Sequence, residues 1–252
     1  MMCMRASTPR PGIRRSALRW WRASAARNGY LSASTQLLKL VAEFLRDSTP
    51  QRRRQRYGDI DYDWDFRVDT TSAAVGWRDR LLGIFNSPYQ PTEPALFHEM
   101  MTFLSSQPGF DFHNFTFIDL GSGKGRTLLM ASDYPFRRII GIELLPALHR
   151  IAERNISQYH SDKQKCFLLE AICADATEFT FPAEPTVLYL FNPFPEGGLQ
   201  RVIANLGRSL QSNPRELYVL YHNPLLAHVL DISTALKQIK QSHQYALYRT
   251  TK

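Results

Sequence analysis

FIDLGSGKGRTLLMAS, Phe117 to Ser132, joins an apolar run to a glycine-rich turn and then to a helix-forming segment. Ile118 and Leu120 belong to a β-favouring stretch that stops at Gly121-Ser122-Gly123-Lys124-Gly125, and Thr127 to Ser132 follows at once. Strand, glycine turn, helix is how an α/β sheet opens a nucleotide-type crevice. Glycines let backbone approach a ligand where a Cβ would collide, and a helix start offers free N–H groups. RRIIGIELL, Arg137 to Leu145, reads as the next strand and carries Glu143 about twenty residues beyond the loop, the spacing of an acid that accepts from ribose hydroxyls.

Outward from this unit, strands and helices alternate. Strand one is expected over Phe115–Leu120, strand two over Arg138–Glu143, strand three over Cys166–Cys173, strand four over Thr186–Phe191 and strand five over Glu216–Tyr221. Helices are expected from Arg126, over Pro146–Tyr159 (Leu148, Ile151, Ala152 and Ile156 on one face) and over Leu199–Leu210, with a final strand pair within Ala235–Thr250. This pattern predicts a Rossmann-like, mostly parallel seven-stranded sheet with helices on both faces. Upstream, Pro94 starts a helix with Thr92 near its N-cap and Leu96, Phe97, Met100, Met101 and Leu104 as its core stripe. Residues 57–91 are polar and aromatic, with an acidic run Asp59 to Asp65, and are expected to form a cap or loop over the site. Three regions follow: a basic arm, 1–56; a lead-in, 57–110; and the α/β core, 111–252.

The formal charge of +8 is unevenly placed. Residues 1–58 hold 13 Lys/Arg against 2 Asp/Glu, whereas 59–252 hold 18 against 21. Nothing about the near-neutral body suggests a large nucleic-acid footprint, and nucleic acid or a membrane surface is expected to be met only through the arm. The arm is Arg-, Ser- and Ala-rich with no acid before Glu43, a composition shared by transit peptides and disordered basic tails. Its stretch Ser32 to Arg46 has helical apolar spacing, and 51–56 (QRRRQR) reads as a solvated linker or a phosphate-binding patch. No secretory h-region or membrane-length apolar run is present, so the expected address is cytoplasmic, with organellar targeting as the alternative. Three cysteines make no disulfide framework and no zinc spacing; Cys166 and Cys173 are expected as buried thiols, and no metal is expected.

The glycine spacing narrows the ligand. NAD loops read G-x-G-x-x-G, while this one reads G-x-G-x-G with Asp119 two residues before the first glycine. A P-loop requires Ser or Thr after its lysine, and Lys124 is followed by Gly125. The segment resembles the first motif, h-h-D-h-G-x-G-x-G, of class I S-adenosylmethionine (SAM)-dependent methyltransferases. That resemblance implies SAM as cofactor, with Asp119, Gly121, Ser122, Gly123 and Gly125 at its methionine end, Glu143 on the ribose and Asp175, after strand three, on the adenine amino group. Read alone, Asp175 is equally a helix N-cap and Glu143 a solvated strand end.

Asn192-Pro193-Phe194, after strand four, resembles the fourth motif of amino-methylating enzymes. There an Asn carbonyl accepts from the target nitrogen, which implies a catalytic role for Asn192 and a pocket wall at Phe194; an Asn-Pro β-turn is the other reading. Tyr89 to Glu99, YQPTEPALFHE, resembles the Y-x-P-x-x-P-x-x-[YF]-x-E segment of the disruptor-of-telomeric-silencing histone lysine methyltransferases. By that resemblance Tyr89, Thr92 and Glu99 line the SAM side of the pocket. Pro193 replaces the second Asn of that family's N-N-F segment, and its long N-terminal helical region is missing. The expectation is a SAM-dependent methyltransferase acting on nitrogen, with a protein lysine as the acceptor. The alternatives are small-molecule or nucleic-acid N/O-methylation, from the likeness to N-P-P-[YF], and a non-catalytic SAM-binding adaptor. His222 and Asn223 follow strand five on the same edge, where a histidine either takes a proton or serves as a bonded turn residue.

Overall fold

The computed structural model describes residues 60–70 and 91–251, with scattered positions between 22 and 38. The chain divides into two units, Met1–Ile60 with Thr71–Gln90, and Asp61–Thr70 with Pro91–Lys252. In the first, the described residues are helical apart from Gly29. Most of the expected helix at 32–46, the arginine cluster at 52–56 and Tyr89 lie outside the described residues. No helix among the described residues is long and apolar enough to cross a membrane.

The second unit is built on one sheet. Its strands are β1 (Thr116–Leu120), β2 (Arg138–Glu143), β3 (Leu169–Cys173), β4 (Thr186–Phe191), β5 (Leu217–His222), β6 (Leu236–Gln241) and β7 (Tyr245–Thr250). They lie in the order β3-β2-β1-β4-β5-β7-β6. The first five are parallel, and β7 runs antiparallel to both β5 and β6. β1 is buried at every position, as a central parallel strand covered on both faces must be. The helices are α1 (Ile60–Phe66), α2 (Pro94–Ser105), α3 (Arg126–Ala131), α4 (Pro146–Gln158), α5 (Glu196–Ser212) and α6 (Ala227–Asp231).

Four expectations change. Most of the acidic run forms α1 rather than a loop, because Tyr62 and Phe66, one turn apart, meet as tilted rings at 4.7 Å and Tyr62 lies under the Arg126 guanidinium. Thr92 stands beside the α2 N-cap, Glu93, as expected, and its hydroxyl bonds Tyr189. Strand three begins only at Leu169, because the N–H groups of Lys165 and Cys166 donate to Ser132 and leave the ladder. Cys166 is buried as expected, but Cys173, on this edge strand, is only half-buried. The buried face of α4 runs through Leu148, Ala152 and Asn155, with Ile151 and Ile156 at its margin. Asn155 is wholly buried because its amide is fully used, as described below.

Candidate active site

Strand order reverses between β1 and β4: β2 and β3 lie to one side, β5 to the other. In open α/β sheets the ligand crevice sits at that reversal, beyond the carboxyl ends. The glycine loop leaves β1 there, and Asn192-Pro193-Phe194 leaves β4 there. The two segments touch. Gly121 has φ +87°, and a Cβ on it would stand 2.5 Å from the Pro193 Cβ, so only glycine allows the proline to close against the loop. Gly125, at φ +83°, admits Ala152 of α4 in the same way, with a would-be Cβ at 3.2 Å.

The loop is held from β2. The N–H groups of Gly121 and Ser122 donate to the Ile142 carbonyl at 2.8 and 3.0 Å, and that of Gly123 donates to Glu143 Oε2 at 2.8 Å. Glu143 Oε1 accepts from Leu145 N–H at 2.7 Å. Several loop N–H groups expected to face a ligand are thus used within the protein. From below, Lys124 is wholly buried with its Nζ 2.6 Å from Asp69 Oδ1. Asn155 closes the strut: it accepts from Asp69 N–H at 3.0 Å and donates to the carbonyls of Asp69 and Lys124, each at 2.9 Å.

Two carboxyl groups flank the loop. Asp119 is buried, and desolvation raises its pKa to about 8; a hydrogen bond from Thr127 opposes the shift and the charge of Glu143 adds to it. Glu143 is also pushed up by burial, against the pull of its backbone donors. The Ser122 Oγ is buried with no hydrogen-bond partner. A cationic, hydrogen-bond-donating ligand would relieve the carboxyl groups.

The other side of the crevice is built from β4 and β5. Asn192, at φ +43°, is a non-glycine residue in left-handed backbone. Its Nδ2 donates to the Asn223 carbonyl at 2.5 Å and its Oδ1 accepts from the Tyr221 hydroxyl at 2.8 Å, so the amide has one orientation and an acceptor lone pair to spare. Phe194 packs against the start of α5 near Gly198 and joins the apolar cluster there. His222 Nδ1 lies 2.8 Å from the Tyr189 hydroxyl, which lies 2.7 Å from Thr92 Oγ1, all three residues buried. The imidazole stacks on Phe191 at 3.8 Å and 19°. Burial lowers the His222 pKa to about 4, so the ring is neutral.

Asp119, Gly121, Ser122, Gly123, Gly125, Glu143, Thr92, Asn192 and Phe194 therefore gather on one rim. Asp175 follows β3, is exposed and accepts from Thr177 N–H at 2.8 Å as the N-cap of a short 3-10 turn. Glu99 is not brought to the loop. It accepts from the Tyr245 hydroxyl at 2.6 Å and meets Lys240 at 3.9 Å, on β7 and β6, at the other end of the sheet from β2. Sequence reasoning missed the Lys124–Asp69–Asn155 strut and the Tyr189 and Tyr221 hydroxyls. A lysine inside a glycine loop that fails the P-loop pattern was the one available sign of the strut.

The fold is Rossmann-like, with the seven-stranded, mostly parallel sheet that the sequence pattern predicts. No protein family matches the chain by sequence, and no curated protein does. Among solved structures, the chain is similar to a predicted N6-adenine-specific DNA methylase from Listeria monocytogenes (17% identity, TM-score 0.45, 64% of this chain and 51% of that one). It thus spans about half the length of that protein. It is also similar to an RNA methyltransferase from Salinibacter ruber in complex with S-adenosyl-L-homocysteine (19%, 0.39, 64% and 92%). A third is an rRNA methyltransferase from Streptomyces viridochromogenes (13%, 0.46, 65% and 86%).

Proposed function

We propose that this chain is a SAM-dependent methyltransferase acting on a nitrogen, with a protein lysine as its acceptor. One observation carries the reading: the glycine loop and Asn192-Pro193-Phe194 meet at the strand-order reversal, Gly121 against Pro193. Fold by itself does not imply function, so the weight rests on this contact and on the chemistry around it. Asp119, beneath the loop, suits the ammonium of the methionine moiety, and Glu143 suits the ribose hydroxyls. Asp175 is assigned to the adenine amino group through the carboxylate oxygen that does not cap Thr177. The bound cofactor supplies an electrophilic methyl group and leaves as a thioether.

Asn192 orients the acceptor nitrogen by accepting its hydrogen bond, and its own two tertiary bonds keep the carbonyl from turning away. Orientation of this kind contributes up to ~10 kcal/mol in favourable cases. The near-neutral body, residues 59–252, lacks the basic surplus that a phosphate backbone requires, which favours a protein acceptor over a nucleic-acid base.

Two measurements test the reading. Calorimetry with SAM and with NAD should show binding of SAM alone; no heat with SAM removes the proposal. Cell extract incubated with methyl-labelled SAM should then carry label in lysine after protein hydrolysis. Label confined to nucleic acid or to small metabolites would replace lysine with the acceptor that bears it.

A further inference from the structure

Thr92, Tyr189 and His222 form a buried chain of hydrogen bonds that ends on the rim beside Asn192. We propose that His222, held by this chain, receives through Nε2 the proton that the acceptor nitrogen gives up on methylation. The proposal rests on the methyl-transfer reading above and adds to it a proton acceptor, with Tyr189 and Thr92 as positioning residues.

Nδ1 is the ring nitrogen bonded to Tyr189. Nε2 makes no hydrogen bond with a described residue, and the residue keeps 8% of its surface exposed. The ring ends β5 in register with Phe191, whose side chain fixes its plane by stacking and whose chain neighbour is Asn192. Around it stand Tyr189 on β4, Asp119 beyond it on β1, and Tyr245 opposite on β7 with Glu99 and Lys240 at its hydroxyl and ring.

Direction matters in this chain because each hydroxyl donates one hydrogen. If Nδ1–H donates to Tyr189 and Tyr189 donates to Thr92, Nε2 carries a lone pair. Taking up a proton then gives an imidazolium whose Nδ1–H is already donated, and no neighbour turns over. In the reverse direction Nε2 would carry a hydrogen and could accept nothing. The acceptor ammonium gives a proton to the Nε2 lone pair and keeps the N–H bonding pair as its own lone pair; that pair then forms the new N–C bond while the C–S bonding pair departs with the thioether, so no oxidant or reductant is needed. Burial disfavours the imidazolium, so the proton passes on to water.

The test is nitrogen NMR on the full-length, histidine-labelled protein, with His222 assigned by its loss in His222→Asn. The expected result is one neutral tautomer, protonated on Nδ1, that becomes a mixture in Tyr189→Phe. A wild-type ring protonated on Nε2, or a tautomer indifferent to Tyr189→Phe, overturns the proposal. In labelled extract, His222→Asn and His222→Gln should cut methyl transfer by roughly 100-fold, with the affinity for SAM changed less than about twofold. Unchanged transfer, or a loss explained by weaker SAM binding, overturns it as well. Absence of SAM binding by the wild type would instead defeat the methyltransferase reading, and the NMR result on the hydrogen-bonded chain stands apart from it.

Discussion

The two faces of the sheet are packed alike and finished differently. One face carries Ile118, Leu120, Leu188, Leu190 and Val219 and meets the leucine, valine and isoleucine stripe of α5. The other carries Phe117, Val187, Tyr189, Tyr218 and Leu220 and meets Leu96, Phe97, Met100, Met101 and Leu104 of α2. At the carboxyl rim the first face stays aliphatic at Leu120 and Leu190, whereas the second ends in Asp119, Tyr189 and His222. Because side chains alternate along a strand, a single step in register separates a core position from a reactive one. The first face contributes the Tyr221 hydroxyl that grips Asn192, and the second adds the buried carboxyl of Asp119 and the imidazole of His222.

The contrast shows first in pH dependence. The pKa of Asp119 is raised to about 8 from 3.8, so the folded state holds the extra proton between those values and stability falls as pH rises through them. His222 acts in the opposite sense: lowered to about 4 from 6.5, it contributes stability that is complete above 6.5 and lost as pH falls. The two oppose each other below 6.5, and the Asp119 effect stands without that opposition from 6.5 to 8. There the unfolding free energy of the unliganded protein, from urea titration, should decline by on the order of 1 kcal/mol per pH unit, and Asp119→Asn should flatten that slope. A flat wild-type profile would contradict a buried carboxyl.

On the aliphatic face, Leu188→Ala should cost about 2–5 kcal/mol of unfolding free energy and leave the pH slope unaltered; a changed slope would break the separation between the faces. At the rim, Asn192→Ala should lower turnover by roughly 100-fold, about 3 kcal/mol, with SAM affinity nearly unchanged; an equal fall in both would contradict its role. Glu143→Ala should weaken SAM binding by about 1–3 kcal/mol in calorimetry, because a bonded carboxylate is lost from both loop and ligand. Lys240→Met, at the Glu99–Tyr245 pair across β5 from the glycine loop, should change stability by at most about 1 kcal/mol and leave SAM binding untouched.

Legibility in the sequence followed periodicity. β2 and β4 were placed residue for residue, because an unbroken apolar run bounded by turn residues has few alternatives. The acidic segment before Phe66 was misread because its aspartates mask two aromatics one helical turn apart. Asn192 and Gly121 could be selected from motif spacing, yet their contact through Pro193 depends on β4 lying beside β1, which strand order alone determines. Glu99 shows the converse: close to Thr92 along the chain, it is carried by a helix away from the glycine loop to Tyr245, the β7 partner of His222.

By itself the amino-acid sequence determined the alternation of strand and helix, the glycine loop and the acid that follows it, since these depend on local backbone freedom and on side-chain period. Tertiary structure alone decided that Lys124 is a buried strut tied to Asp69, that Asn192 is gripped by Tyr221, and that Thr92, Tyr189 and His222 form one chain. Those partners are 29 to 97 residues apart in sequence. Burial leaves each polar group in need of a partner, and the packing of the sheet determines which one it meets.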